Sequence, residues 1–216
     1  MCAAPHPAET RRLRSAAVLA HGAILAFFGK FLLVCAVLVL AAGALSSHLA
    51  QALLPLFRAE IAWFGDYRID DLSVGREGAD QVLRLQAGLA HPLTLNGRTF
   101  TPDPRGRATA TTLVGNVSVP MIVLTATALA WPVRRSRCYA WRAAALLPAL
   151  LIMVMLVAPF LLLGSIWGLL VEVADPGRFS PLLLWCDGLE SGGAAAIAAA
   201  LGVCVAWLTQ DSWRNG

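Results

Sequence analysis

Four stretches of the chain are continuously apolar over about the ~20 residues of helix that a bilayer core requires: residues 25–45, 113–133, 143–163 and 191–209. They predict an all-α transmembrane bundle of four spans. The first stretch is preceded by a basic segment, residues 1–24, and its only formal charge between Ala16 and Phe57 is Lys30, close enough to one end to snorkel. That run is about twice a membrane crossing, yet no turn signal divides it. One span followed by an outer interfacial helix over 46–64, bent at Pro55, fits the mixture of Leu49, Leu53, Leu54, Phe57 and Ile61 with His48, Gln51, Arg58 and Glu60. The third run stays uncharged as far as Val171, which predicts tilting or a kink at Pro159.

Between the first two spans the pattern changes to period two. Leu93-Thr94-Leu95-Asn96-Gly97-Arg98-Thr99-Phe100 alternates around Asn-Gly, a hairpin signal because both turn residues need positive φ. Leu83 and Leu85 alternate within Asp80–Gln86, Gly75 to Gly78 supplies a turn before them, and Tyr67–Val74 is the partner. A small extracytoplasmic β insert is therefore expected over 65–112, ending at Pro102–Gly106. Seven arginines and seven acids between Arg58 and Thr112 cancel. Three or four strands bury little core alone, so the sheet should lean on the membrane surface, the interfacial helix or another protein.

Composition agrees with a polytopic membrane protein: 58% of residues are hydrophobic and 14% charged, against about a quarter charged in soluble domains. The net charge of +4 does not indicate nucleic acid, since the one compact basic cluster, Arg134, Arg135 and Arg137, sits in a short connection (134–142) between two spans. With Arg142 in the same connection, Arg11, Arg12 and Arg14 before the first span and Arg214 in the tail (210–216), it places both termini in the cytoplasm of a bacterial inner membrane. The acidic connection 172–190, with Glu172, Asp175, Asp187 and Glu190 against Arg178, is then outside. Trp63, Trp167 and Trp185 fall at the outer edges, and Trp131, Trp141, Trp207 and Trp213 at the inner ones. The first apolar run is too long for a signal-peptide core, so an uncleaved span is expected.

Candidate chemistry is sparse. The five cysteines show no metal-ligand spacing and no phosphate-binding loop occurs, so neither cofactor, metal nor catalytic site is expected. The second span carries Asn116, Ser118, Thr125 and Thr127, readable as a substrate path of a small transporter or as interhelical hydrogen bonding. In the fourth, Gly192, Ala196 and Ala200 recur every four residues, a smooth stripe for helix packing within the bundle or with another subunit. A thiol enzyme would need Cys186 with His48 or His91 as base and Arg178 as oxyanion partner, residues from three separate segments.

The order of a basic N-terminus, a span, an interfacial segment, a β-rich outer insert and three more spans resembles the small membrane proteins associated with exosortases, in particular the exosortase H-associated type. Local echoes are Leu54-Pro55-Leu56-Phe57-Arg58-Ala59-Glu60 before the insert and Gly115-Asn116-Val117-Ser118-Val119-Pro120 entering the second span. The resemblance implies a non-catalytic accessory partner of an envelope protein-sorting transpeptidase. Besides the lipid bilayer, the expected partner is a larger membrane protein, met through the β insert or the fourth span.

Overall fold

The structure, a computed structural model, describes residues 7–64, 67–103, 105–133 and 137–211. Of the basic side chains that set the expected orientation, Arg11, Arg12, Arg14, Arg134, Arg135, Arg137 and Arg214 lie outside the described ones, as does Trp213, whereas Arg142 is described and buried. The chain is mostly helical, with a small antiparallel sheet between its first two helices. Three helical stretches are long and apolar enough to cross a membrane, Ile24–Trp63, Cys138–Ala174 and Pro181–Gln210, and a fourth apolar helix, Val114–Ala130, is shorter.

Helix α1 runs unbroken from Pro7 to Trp63, 57 residues or about 85 Å at 1.5 Å per residue. No break in the helix separates the expected interfacial stretch, 46–64, from the preceding span, and Pro55, where a bend was expected, lies inside α1. Pro55 is exposed, so the Gln51 carbonyl it leaves without an i+4 donor is on an open face. Opposite, Phe57 and Ile61 are wholly buried. One side of the C-terminal part of α1 packs beneath the sheet.

That sheet has the order β1-β2-β5, with β1 Tyr67–Glu77, β2 Asp80–Leu89 and β5 Ala108–Leu113, both pairings antiparallel. Leu83, Leu85 and Ala87 of the central strand alternate inward. The register of β1 shifts between Ile69 and Asp71. This bulge lets Tyr67 and Ile69, at odd positions, share the inner face with Leu72 at an even one, all three packing on one core cluster. A separate hairpin, β3 Leu93–Leu95 and β4 Arg98–Phe100, turns at Asn96 (φ 49°) and Gly97 (φ 75°), both left-handed as the Asn-Gly signal requires. Strand β5 extends the insert past the expected end at Pro102–Gly106 and consumes residue 113 of the expected second span.

Helix α2, Val114–Ala130, is the hub of the bundle, touching α1, α3 (Arg137–Ala174) and α5 (Ala194–Asp211). Pro132 stops it, forcing Trp131 into extended backbone (φ −59°, ψ 131°) and offering no N–H to the Ala128 carbonyl. Helix α3 begins inside the expected cytoplasmic connection and continues uninterrupted through Pro148 and Pro159. Nearer its C-terminal end, Leu162, Leu163 and Ile166 bury against Ile61, Leu85 and Ala110. The long apolar run of α3 is therefore partly a soluble-style core under the sheet.

The expected outer connection 172–190 is mostly helix. After a short turn, α4 spans Pro181–Gly188, with Ser180 extended before it and Pro181 in the first turn, where its missing N–H is harmless. A π-turn over Leu189–Gly193 then joins α4 to α5, and Gly192 (φ 107°) takes a conformation L side chains avoid. A side chain at Gly193 would strike the Gly188 carbonyl oxygen. The fourth expected span, 191–209, thus begins ten residues earlier as a bent helix.

Candidate functional site

The sheet, the segment just after α1, the C-terminal half of α3 and the start of α4 enclose a cleft of about 430 Å³. Helix α3 contributes Phe160, Leu163 and Trp167 to one wall, and α4 contributes Pro181 and Leu182. Tyr67, Leu89 and Leu93 face them from the strands, with His91 and Pro92 at the connection between β2 and β3. Phe64 closes one end, edge-on to Phe160 at 5.7 Å between ring centroids. Ser180 does not cap α4; its hydroxyl accepts from Trp167 Nε1 at 2.9 Å, which fixes the indole in the wall. The second hairpin is docked alongside by Arg98, whose Nη1 donates to the Val173 carbonyl (3.3 Å).

The proposed thiol constellation is not assembled. Cys186 is buried in the bundle core, its Sγ donating to the Phe160 carbonyl (3.2 Å) and seated in the notch left by Gly164. His91 is exposed at the cleft, His48 is exposed on α1, and Arg178 is exposed in the α3–α4 turn. Among the described residues, no three His, Cys, Asp or Glu side chains gather as a metal could require.

The polar groups at the start of and within α2 are used locally. Asn116 donates to Thr112 Oγ1 (3.3 Å), Ser118 to the Gly115 carbonyl (3.4 Å) and Thr125 to the Met121 carbonyl (2.8 Å). Thr127 is buried where α5 crosses: a side chain at Gly202 would come within 2.8 Å of Thr127 Cβ and of the Leu124 carbonyl oxygen. The four do not converge on one space. The stripe of small residues that meets α2 is Ala194, Ala198, Gly202 and Ala206, all buried. Gly192, Ala196 and Ala200 are exposed, on the other side of the same helical segment.

A feature the sequence reading missed lies at the other end. Arg142, read as part of a solvated basic turn, is 0% exposed. Its Nη1 donates to the Ala128 and Trp131 carbonyls, both at 2.9 Å, and its Nε to Thr209 Oγ1 (3.3 Å). Pro132 leaves the Ala128 carbonyl without its helical donor, and the guanidinium supplies one. The available signal was an arginine set directly against the start of an apolar run and four residues beyond Cys138, apart from the basic cluster. Arg142 Nη2 and Glu60 Oε2 are the buried side-chain atoms without a hydrogen-bond partner among the described residues.

On the outer face of the sheet Arg68 donates to Asp70 (3.0 Å), and Arg107 approaches it at 3.4 Å. The Arg68 hydrogen bond, helped by both positive charges, holds the Asp70 carboxyl below its ordinary value against a smaller opposing effect of burial. Asp70 occupies the bulge, so this group of charges pins the register shift.

No protein-family model matches the chain, and no curated protein or solved structure matches it significantly.

Proposed function

We propose that the chain is a four-span protein of the bacterial inner membrane, both termini cytoplasmic, serving as a non-catalytic accessory subunit of a larger envelope complex. Exosortase-type protein sorting is the pathway that its order of features resembles. Helix α2, 17 residues and about 25 Å long, lies within the range that spans a bilayer, which makes four crossings with the three longer helices. The sheet and the ends of α1 and α3 then form the outer layer.

The observation that carries the accessory reading is the incomplete packing of α1. The most apolar window of this helix is 0% buried. Two clefts of about 240 and 410 Å³ open between it and α2. Their walls include Ala41, Ala42, Gly43 and Ser46 on one side and Gly115 and Ser118 on the other. Small residues on both walls allow another helix to approach closely, the geometry by which membrane helices associate. The exposed Gly192, Ala196 and Ala200 offer a second smooth face. Affinity purification of the tagged protein from its own host in mild detergent tests the proposal. A stoichiometric larger membrane protein is expected, and recovery of the chain alone overturns the reading.

A further inference from the structure

Helix α1 carries a heptad pattern on an open face. Gly22, Gly29, Ala36 and Gly43 recur every seven residues, and Leu25, Leu32, Val39 and Ser46 each follow three later. A period of seven is the signature of helices that pair in a left-handed crossing. The same register continues at Ala50, Leu53 and Phe57, which pack with Leu83 of β2 and with Val114 and Val117 of α2. From Gly22 to Gly43 the seam is exposed, and a side chain at any of its three glycines would meet no neighbour within 4 Å among the described residues. That stretch is about 32 Å long, enough to cross a bilayer core. Along its flank, the two clefts against α2 share Ala42, Ser46, Ser118 and Ile122, so they form one notch. One heptad register is thus filled by this chain at one end and open at the other.

The notch ends under the turn between β1 and β2, where Asp80 is the one charged side chain among the described residues lining it. Ser46 donates to Gln81 Oε1 (3.0 Å), which sets the level of this end on α1. Asp80 is exposed and joins none of the ion pairs among the described residues, whereas Glu77 across the turn is matched by Arg84 at 2.8 Å. Arg76, opposite Gln81, does not line the notch. The N-terminus of α2 supplies about half a positive charge there, which leaves this end negative. An apolar helix with a cation at that end complements it. A second copy of this chain, inserted the same way, does not. Its α1 has no Lys or Arg between Lys30 and Arg58, each about 18 Å or more along the helix from Ser46, and α2, residues 143–171 and α5 have none. We propose that the notch seats one membrane helix of a different protein, packed on the heptad seam of α1 and carrying Lys or Arg at the end beneath Asp80. The inference rests on the accessory reading and names the chemistry of its partner.

The test uses the full chain in cells of its own host, with p-benzoylphenylalanine in place of Leu32 on the seam or of Val37 off it, both exposed. After irradiation, Leu32 should give one discrete protein adduct and Val37 none. The crosslinked peptide, sequenced by mass spectrometry, should be an apolar helix with Lys or Arg near one end. Asp80→Lys should lower the adduct about tenfold, and replacing the partner's cation with Glu should restore it in that background. If Asp80→Lys does not fold, Asp80→Asn removes the charge alone and should lower the adduct by less. An adduct with a second copy of the chain, equal adducts from both positions, or an adduct indifferent to both Asp80 variants overturns the proposal. Affinity purification reports the accessory reading separately. A co-purifying membrane protein without a Leu32 adduct overturns this inference alone, and recovery of the chain by itself overturns both.

Discussion

Replacing Arg142 with Met separates a cap from a burden. The side chain is fully buried, and Nη1 bridges two carbonyls at the end of α2, each at 2.9 Å. A hydrogen bond from a charged donor contributes about 1.5–3 kcal/mol, and an orphaned buried carbonyl costs about 1–3 kcal/mol. Against this, Met removes a desolvated cation whose Nη2 has no partner, and relief of such desolvation can return several kcal/mol. The negative end of the α2 dipole lowers the burden in the wild type. We expect Arg142→Met to destabilise by about 2–4 kcal/mol, and Arg142→Lys by less, since one ammonium keeps the charge without the fork. At 2–4 °C per kcal/mol for a chain of this size, the melting temperature in dodecylmaltoside, read by tryptophan fluorescence, should fall about 4–16 °C. Pro132→Ala restores an N–H to the Ala128 carbonyl, so in the double variant part of the loss should return as a coupling energy. A Met variant as stable as wild type, with no coupling to Pro132, would refute the cap.

Gly164→Ala should destabilise by about 1–3 kcal/mol, because a methyl group there meets Cys186 Sγ; Cys186→Ala in the same chain should recover much of the loss in the same melt. Gly202→Ala pushes against the Leu124 carbonyl and Thr127 and should cost about 1–3 kcal/mol, whereas Ala196→Leu on the exposed side should leave the isolated protein's melting point unchanged. Gly97→Val forces a β-branched residue into left-handed backbone at about 1–2 kcal/mol; hydrogen exchange should rise in β3–β4 and not in β1-β2-β5, to which that hairpin is not bonded. The Asp70 carboxyl has a lowered folded value, so its stabilisation is present above the unfolded carboxylate value and is lost as pH falls through the folded one. Asp70→Asn should flatten the acid side of the pH–melting profile below the ordinary carboxylate range, and an unchanged profile would show that Arg68 and Arg107 do not pin the bulge.

The hairpin at Asn96-Gly97 and the pairing of β1 with β2 were legible because their signals are local: two turn residues, and leucines two apart. Strand β5 was not. Ala108 to Thr111 alternates alanine with threonine, a contrast too weak to read, and Leu113-Val114 attaches it to the next apolar run. The apolar lengths of α1 and α3 were visible, but hydropathy does not distinguish lipid from the underside of a sheet as the neighbour of Phe57 or Leu162. The stripe on the fourth span was one face out. With alanine at six of the seven positions from Ala194 to Ala200, several phases of a four-residue repeat are small, and only contact with α2 selects Ala194, Ala198 and Gly202. Arg142 was hidden by its charge, which reads as solvated until the Ala128 and Trp131 carbonyls are placed against it.

The accessory reading is tested most directly by photocrosslinking in intact cells of the native host, with p-benzoylphenylalanine in place of Ala42 in the α1–α2 cleft or Ala196 on the exposed face of α5. A helical partner seated on either face predicts one discrete adduct with a larger membrane protein, lost when the label is moved to the buried Ala198. Lipid adducts alone from both positions would contradict it.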